Sequence, residues 1–318
     1  MALEHRTVAT NGINLHCAVD GDGPLVVLLH GFPECWYSWR HQIAALAPRF
    51  RVVAPDLRGY NLSDKPAGFA AYALDELVAD VRGLIEGFGE REAVIVGHDW
   101  GGAVAWTFAM EHPEATRRLV VMNCPHPAIF AQHLKANRRQ LARSWYMFLF
   151  QIPWLPETLL GLGHARLIAD AVRRTTVRQD SLTEADFQYF RDAASQPGAL
   201  RGGINYYRAI FRSPEARALW PRWLRRFVYG DRPVEGLRER LEDWPRISAP
   251  TLLIWGEQDV ALEKELTLGM EPLMTGPFEV KYIPLSGHWV QQEQPQVVNG
   301  YLLDFLGDLA PAQTPAAV

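Results

Sequence analysis

The chain has 318 residues, 48% of them hydrophobic and 21% charged, with a net charge of −4 and a sequence pI of about 6.2. That balance gives material for one large core and a sub-domain and argues against disorder for the bulk of the chain. No long run of Lys or Arg reads as a phosphate-binding stripe, so nucleic acid is not an expected partner.

Residues 6–19 alternate apolar and polar around Asn11-Gly12, which predicts an antiparallel hairpin. Short strands are then predicted at Leu25 to Leu29, Arg51 to Ala54, Ala93 to Val96, Leu119 to Met122, Thr251 to Trp255 and Phe278 to Ile283. Those at Ala93, Leu119 and Thr251 are nearly continuous in apolar residues, as strands buried on both faces are. Helical patterns at Trp39 to Leu46, Ala73 to Phe88 and Ala103 to Glu111 fall between them, so a doubly wound α/β core with right-handed crossovers is the economical fold. The alternation breaks over 126–247, a span rich in Trp, Tyr, Phe and Arg that reads as an inserted helical cap. The core is thus expected over 1–125 and 248–308. The Ala/Pro-rich tail, 309–318, is expected to fray.

The three cysteines, Cys17, Cys35 and Cys124, fall in or beside predicted core strands. Buried thiols in a reducing compartment are expected. The N-terminus has no apolar stretch of the signal-peptide type, and no uninterrupted apolar 18-mer occurs elsewhere, so the expectation is a cytoplasmic protein without a membrane anchor.

The strongest local signal is Gly97-His98-Asp99-Trp100-Gly101, placed between an apolar strand and a helix-forming stretch. Its spacing is that of a nucleophile elbow, in which flanking glycines permit a tight turn that lifts the central side chain at the sheet's carboxyl edge. Here that side chain is Asp rather than Ser. A serine ether at saturated carbon would not be released by water, whereas a carboxylate forms a hydrolysable ester, so Asp99 points to displacement at sp³ carbon. Asp is also a common helix N-cap, the plain structural alternative. Three further segments favour chemistry. His30-Gly31-Phe32-Pro33 ends a strand and offers the Phe32 N–H, which with that of Trp100 forms a candidate oxyanion hole. Pro33 cannot donate, and His30 reads as a brace of this loop. His288, after a late strand, is the candidate base, and Asp259 is preferred over Glu257 as the acid that orients it.

With these residues the chain resembles the epoxide hydrolases of the α/β-hydrolase superfamily over roughly residues 6–306. His30 to Pro33, the unbroken run from Gly97 to Gly102 (including His98), and Asp56-Leu57-Arg58-Gly59-Tyr60 with Ser63-Asp64 carry the resemblance. The cap segments Phe150 to Trp154, Ser195 to Leu200 and Ile204 to Arg208 resemble the small mammalian members. The resemblance implies a mostly parallel eight-stranded sheet flanked by helices with a helical cap, and Tyr146 and Tyr207 as donors to the epoxide oxygen. Ring opening develops an alkoxide that must be stabilised or protonated, and a phenol, with a pKa of about 10, is a far better proton donor to it than water is. It also implies no metal and no organic cofactor, a small apolar epoxide of the aryl or fatty-acid type as substrate, and a monomer or homodimer. The cap aromatics Trp145, Phe148, Phe150, Trp154, Phe187, Tyr189 and Phe190 are expected either to line an apolar tunnel or to pack the cap. A haloalkane dehalogenase shares the Asp elbow, and a non-catalytic binder could share the fold. The paired tyrosines argue against the first and the complete Asp99, Asp259 and His288 set against the second.

Overall fold

A computed structural model describes residues 3–212 and 240–309; the part of the expected cap at 213–239 and the tail at 310–318 lie outside the described residues. Asn11 (φ 42°) and Gly12 (φ 74°) take up the positive φ of a two-residue turn and join β1 (Glu4–Thr10) to β2 (Ile13–Asp20) in the register Thr10 with Ile13. Strands β3 (Leu25–Leu29), β4 (Arg51–Pro55), β5 (Ala93–His98), β6 (Thr116–Met122), β7 (Thr251–Gly256) and β8 (Phe278–Ile283) complete an eight-stranded sheet. Its order is β1-β2-β4-β3-β5-β6-β7-β8. The pairings of β2 are antiparallel and all others parallel, which is the α/β-hydrolase fold expected from the sequence.

Each apolar strand divides its side chains between two cores. On one face Val94 and Val96 of β5 pack with Ile43 and Leu46 of α1 (Arg40–Leu46) and Leu302 of the C-terminal helix Pro295–Leu306. On the other, Ile95 packs with Val78 of α2 (Leu74–Gly87) and with Val104 and Phe108 of α3 (Trp100–Glu111). Burial on both faces therefore explains the unbroken apolar runs. The element ends differ from the expected ones where tertiary contacts act: α3 starts at Trp100 and not Ala103, and β5 runs on to His98.

Between β6 and β7 the described chain is helical. It forms α4 (Pro127–Ala136), α5 (Arg138–Arg143), α6 (Trp145–Leu149), α7 (Leu155–Thr175), α8 (Glu184–Ala194) and α9 (Ala199–Arg212). Helix α7 is broken at Leu162–Ala165, where Gly163, His164 and Ala165 all have positive φ. Helix α9 meets the loop after β4 backbone to backbone: a Cβ on Gly202 would collide with Gly59. That close approach fixes which face of α9 turns inward. Among the described residues no helix is long and apolar enough to cross a membrane.

Those cap aromatics divide between the two expectations, and only Phe150, which packs on Phe32 and Tyr207, lies against the candidate site. Trp145, Phe148 and Trp154 are exposed, while Phe187 and Phe190 pack with Ala169, Val172 and Trp289 in a separate cluster. Amphipathic aromatics are equally at home in a small helical core and on a surface, so composition alone could not sort them.

Candidate active site

The parallel strands end at one sheet edge, and the loops that follow β3, β5, β6, β7 and β8 meet there. Asp99, the residue between β5 and α3, has φ 50° and ψ −118°, a conformation strained for any side chain. Glycines make the approach possible, since a Cβ on Gly31 would strike the Asp99 side chain. Asp99 Oδ1 accepts the Phe32 N–H at 2.8 Å. Trp100 is the first residue of α3, so its N–H has no acceptor within the helix. The Phe32–Pro33 peptide is cis.

His288 is 5% exposed and stands with Nδ1 2.7 Å from Asp259 Oδ2 and Nε2 3.6 Å from Asp99 Oδ2. Glu257, the rival acid, pairs with Lys264 instead. Burial pushes the His288 imidazole down, but Asp259 and Asp99 together outweigh it and hold its pKa well above the ordinary 6.5. Asp259 is itself buried, which raises a carboxyl, yet His288, the Leu262 N–H and Asn123 lower it on balance.

Tyr207 is buried and Tyr146 half-buried above this edge, their ring centroids 5.8 Å apart. Tyr207 lies edge-on to Trp100 at 4.9 Å and to Phe32 at 5.6 Å, and Phe150 contacts both tyrosines at 5.8 and 5.0 Å. The neighbours in sequence are turned elsewhere: Tyr206 donates its hydroxyl to Arg58 O at 2.8 Å, and Trp145 is exposed. Burial, and the Asp99 charge after it, lifts Tyr146 above the usual phenol range; burial lifts Tyr207, with Tyr146 and then Asp99 adding to it. Both phenols are therefore hydrogen-bond donors at neutral pH.

The remaining residues hold this edge in place. His30 is fully buried and spends both nitrogens on backbone, Nδ1 at 2.8 Å from Gly31 O and Nε2 accepting Leu57 N–H at 3.0 Å. His98 sets Nδ1 2.7 Å from Glu34 Oε2 and Nε2 2.8 Å from the His288 carbonyl. Two supporting residues have no role in the sequence reading: Asn123, which it passes over, and Glu34, which it sees only as the continuation of the His30 to Pro33 segment. Asn123 (φ 41°), directly after β6, donates to Asp259 Oδ2 at 2.8 Å and accepts from Gly256 N at 2.9 Å. An Asn at a strand end, tolerant of positive φ, was the available signal. Glu34 ties together Gly31 N, His98, Gln291 and Gln292, so it links the Phe32 loop to the His288 loop. Its only signal was a carboxylate beside the His30 to Pro33 run.

Glu34 gives a stability prediction. Burial raises its carboxyl, but His98 outweighs it and the pKa settles at about 2, below the ordinary 4.5. A depressed folded-state pKa contributes stability that is present above the unfolded value and lost as pH falls through the folded one. Glu34→Ala is expected to lower the unfolding free energy by about 3–5 kcal/mol in urea at pH 7, because it leaves buried partners uncompensated. The gap to wild type should shrink between pH 4.5 and about 2.

A family model described as alpha/beta hydrolase fold matches residues 24–295. The chain is 39% identical over 302 residues to epoxide hydrolase 3 of Xenopus tropicalis, covering 93% of this chain and 75% of that protein. Among solved structures it is similar to Bacillus megaterium epoxide hydrolase in complex with an inhibitor, at TM-score 0.83 and 33% identity, covering 95% of this chain and 100% of that one. A point mutant of that enzyme, complexed with its product (R)-3-[1]naphthyloxy-propane-1,2-diol, matches at TM-score 0.82 and 32% identity with the same coverage.

Proposed function

We propose that this chain, which belongs to the α/β-hydrolase family and within it to the epoxide hydrolases, converts an epoxide and water to a vicinal diol through an ester on Asp99. The observation that carries the mechanism is the carboxylate at the elbow, with Oδ1 on the Phe32 N–H and Oδ2 toward His288. Oδ2 bonds to a ring carbon as the ring C–O bond breaks, and the oxygen that receives the electron pair takes a proton from Tyr146 or Tyr207. A water then gives one proton to His288 Nε2 and attacks the Asp99 carboxyl carbon. Charge collects on Oδ1 against the N–H groups of Phe32 and Trp100, and collapse expels the diol oxygen, which His288 protonates. The water's second proton leaves the restored carboxyl and returns through solvent to the phenol. Asp259 holds the His288 tautomer and balances its charge.

Residues 126–247 act in this reading as a cap that delivers the two phenols to a core of 1–125 and 248–308. Phe32, Trp100 and Phe150 wall the site with apolar surface, which suits an aryl or fatty-acid epoxide. The product in the Bacillus megaterium complex is of the aryl type. Three buried, free cysteines suit a reducing, cytoplasmic setting.

The test is product analysis with styrene oxide and, separately, 1-bromobutane in water enriched in oxygen-18. Diol without bromide release, with single-turnover label in Asp99 rather than in the diol, is the expected result. Label in the diol under single turnover contradicts the ester; bromide release without diol makes the protein a dehalogenase. Tyr146→Phe and Tyr207→Phe should each slow alkylation by about 10²–10³, the usual cost of one transition-state donor. Rapid-mixing fluorescence reads that step, and wild-type rates in both variants would remove the phenols from the reaction.

A further inference from the structure

Among its described residues the cap exposes large apolar side chains that the candidate site does not use, one of which, Phe148, also meets Phe211 edge-on at 5.2 Å. Trp145 and Phe148, three residues apart on α6, share a face, as do Leu159 and Leu162 on α7, and Ile152 and Trp154 lie in the turn between the two helices. All six are exposed, Trp154 at 81% and Trp145 at 63%. Monomeric proteins seldom leave so many large apolar side chains together in water without a partner for them. Trp154 is moreover held at φ 59°, where a bulky side chain is strained, so the turn presents it to solvent at a cost.

Cations outnumber carboxylates along this stretch, even with Glu263 and Asp170 paired to its arginines. Between residues 135 and 166 the chain carries Lys135, Arg138, Arg139, Arg143 and Arg166 against a single carboxylate, Glu157, in a protein whose net charge is −4. Glu157 is taken up by Arg208 on α9. Arg139 and Arg166 keep side chains 82% and 76% exposed while pairing with Glu263 at 3.8 Å and Asp170 at 3.7 Å, and Arg143 shares Glu263 at 3.7 Å and donates to the Asp259 carbonyl at 2.8 Å. Exposed tryptophan and leucine rimmed by cations match an anionic bilayer surface: the rings enter the headgroup region and the cations meet the phosphates.

We propose that the outer face of α5, α6 and the start of α7 docks on an anionic lipid bilayer. Helix α6 carries Trp145 outward and Tyr146 inward, so the docked face lies one helix thickness from the candidate site. The corollary that lipophilic epoxides enter from the bilayer rests on the proposed function; the docking itself does not.

The test is flotation of the full chain with unilamellar vesicles, in the absence of any epoxide, so its outcome is independent of the catalytic reading. Wild type is expected to float with phosphatidylcholine vesicles containing phosphatidylglycerol, and to be released by salt. Arg138→Glu/Arg139→Glu should weaken binding by at least about twentyfold, and Trp154→Ser/Leu162→Ser by about tenfold or more. Both pairs should hydrolyse styrene oxide in vesicle-free buffer at the wild-type rate. Wild type that stays with the soluble fraction, or variants that float as well as wild type, would overturn the proposal. So would light scattering that shows a dimer which Trp154→Ser/Leu162→Ser dissociates, because the face would then belong to a second copy of the chain.

Discussion

Asp99→Ala is expected to lower diol formation by at least about 10⁴-fold, the scale on which loss of a covalent nucleophile is felt. In the proposed reaction the carboxylate forms the new bond to carbon, and alanine would leave the oxirane with no partner at the apex of the elbow. A residual route remains in which Tyr146 and Tyr207 polarise the ring and His288 draws a proton from water, and it sets the floor. The effect should lie in the alkylation step and not in folding. Phe32 N–H loses its acceptor and alanine suits positive φ less well than aspartate, a combined cost of about 1–3 kcal/mol that a thermal melt will register without unfolding the chain. Chromatography of the diol and intact-mass analysis read the two consequences separately. Activity within tenfold of wild type, with no adduct, would place the nucleophile elsewhere.

Much of this was legible because the fold writes its core in the simplest code. β5, the Leu119–Met122 part of β6 and β7 are buried on both faces and nearly continuous in apolar residues, and Asn11-Gly12 can hardly join anything but a hairpin. The elbow is equally plain, since its glycines answer a steric demand that no other residue meets. What the sequence concealed is whatever depends on a partner remote in the chain. Glu34 acquires its role from Gln291 and Gln292, more than 250 residues away, and Asn123 from an acid 136 residues on. The direction of an aromatic side chain is hidden for the same reason. Tyr206 and Tyr207 differ only by their place on a helix whose inward face is chosen by Gly202 meeting Gly59, and nothing local marks Trp145 as outward beside an inward Tyr146.

The second large effect is expected in His288→Gln, which should alkylate yet fail to turn over, so that intact-mass spectrometry shows the protein heavier by one epoxide. Hydrolysis should slow by about 10²–10⁴, the range for loss of a general base. The pH dependence follows from the charges around His288. In the free protein Asp259 and Asp99 together outweigh burial and keep His288 protonated well above the ordinary 6.5. Alkylation turns the Asp99 carboxylate into a neutral ester, removing one of the two anions that raise the imidazole pKa while burial continues to lower it. His288 thus becomes a better proton acceptor at the step that needs one. The same charge transfer relieves the phenols, whose ionisation the Asp99 carboxylate opposes. Single-turnover hydrolysis by wild type should therefore rise with pH as the imidazole of the ester form deprotonates, whereas the residual rate of His288→Gln should show no such rise. Equal pH profiles in the two proteins would assign the base to another group, and an unmodified mass after incubation would show that His288 is needed before the ester forms.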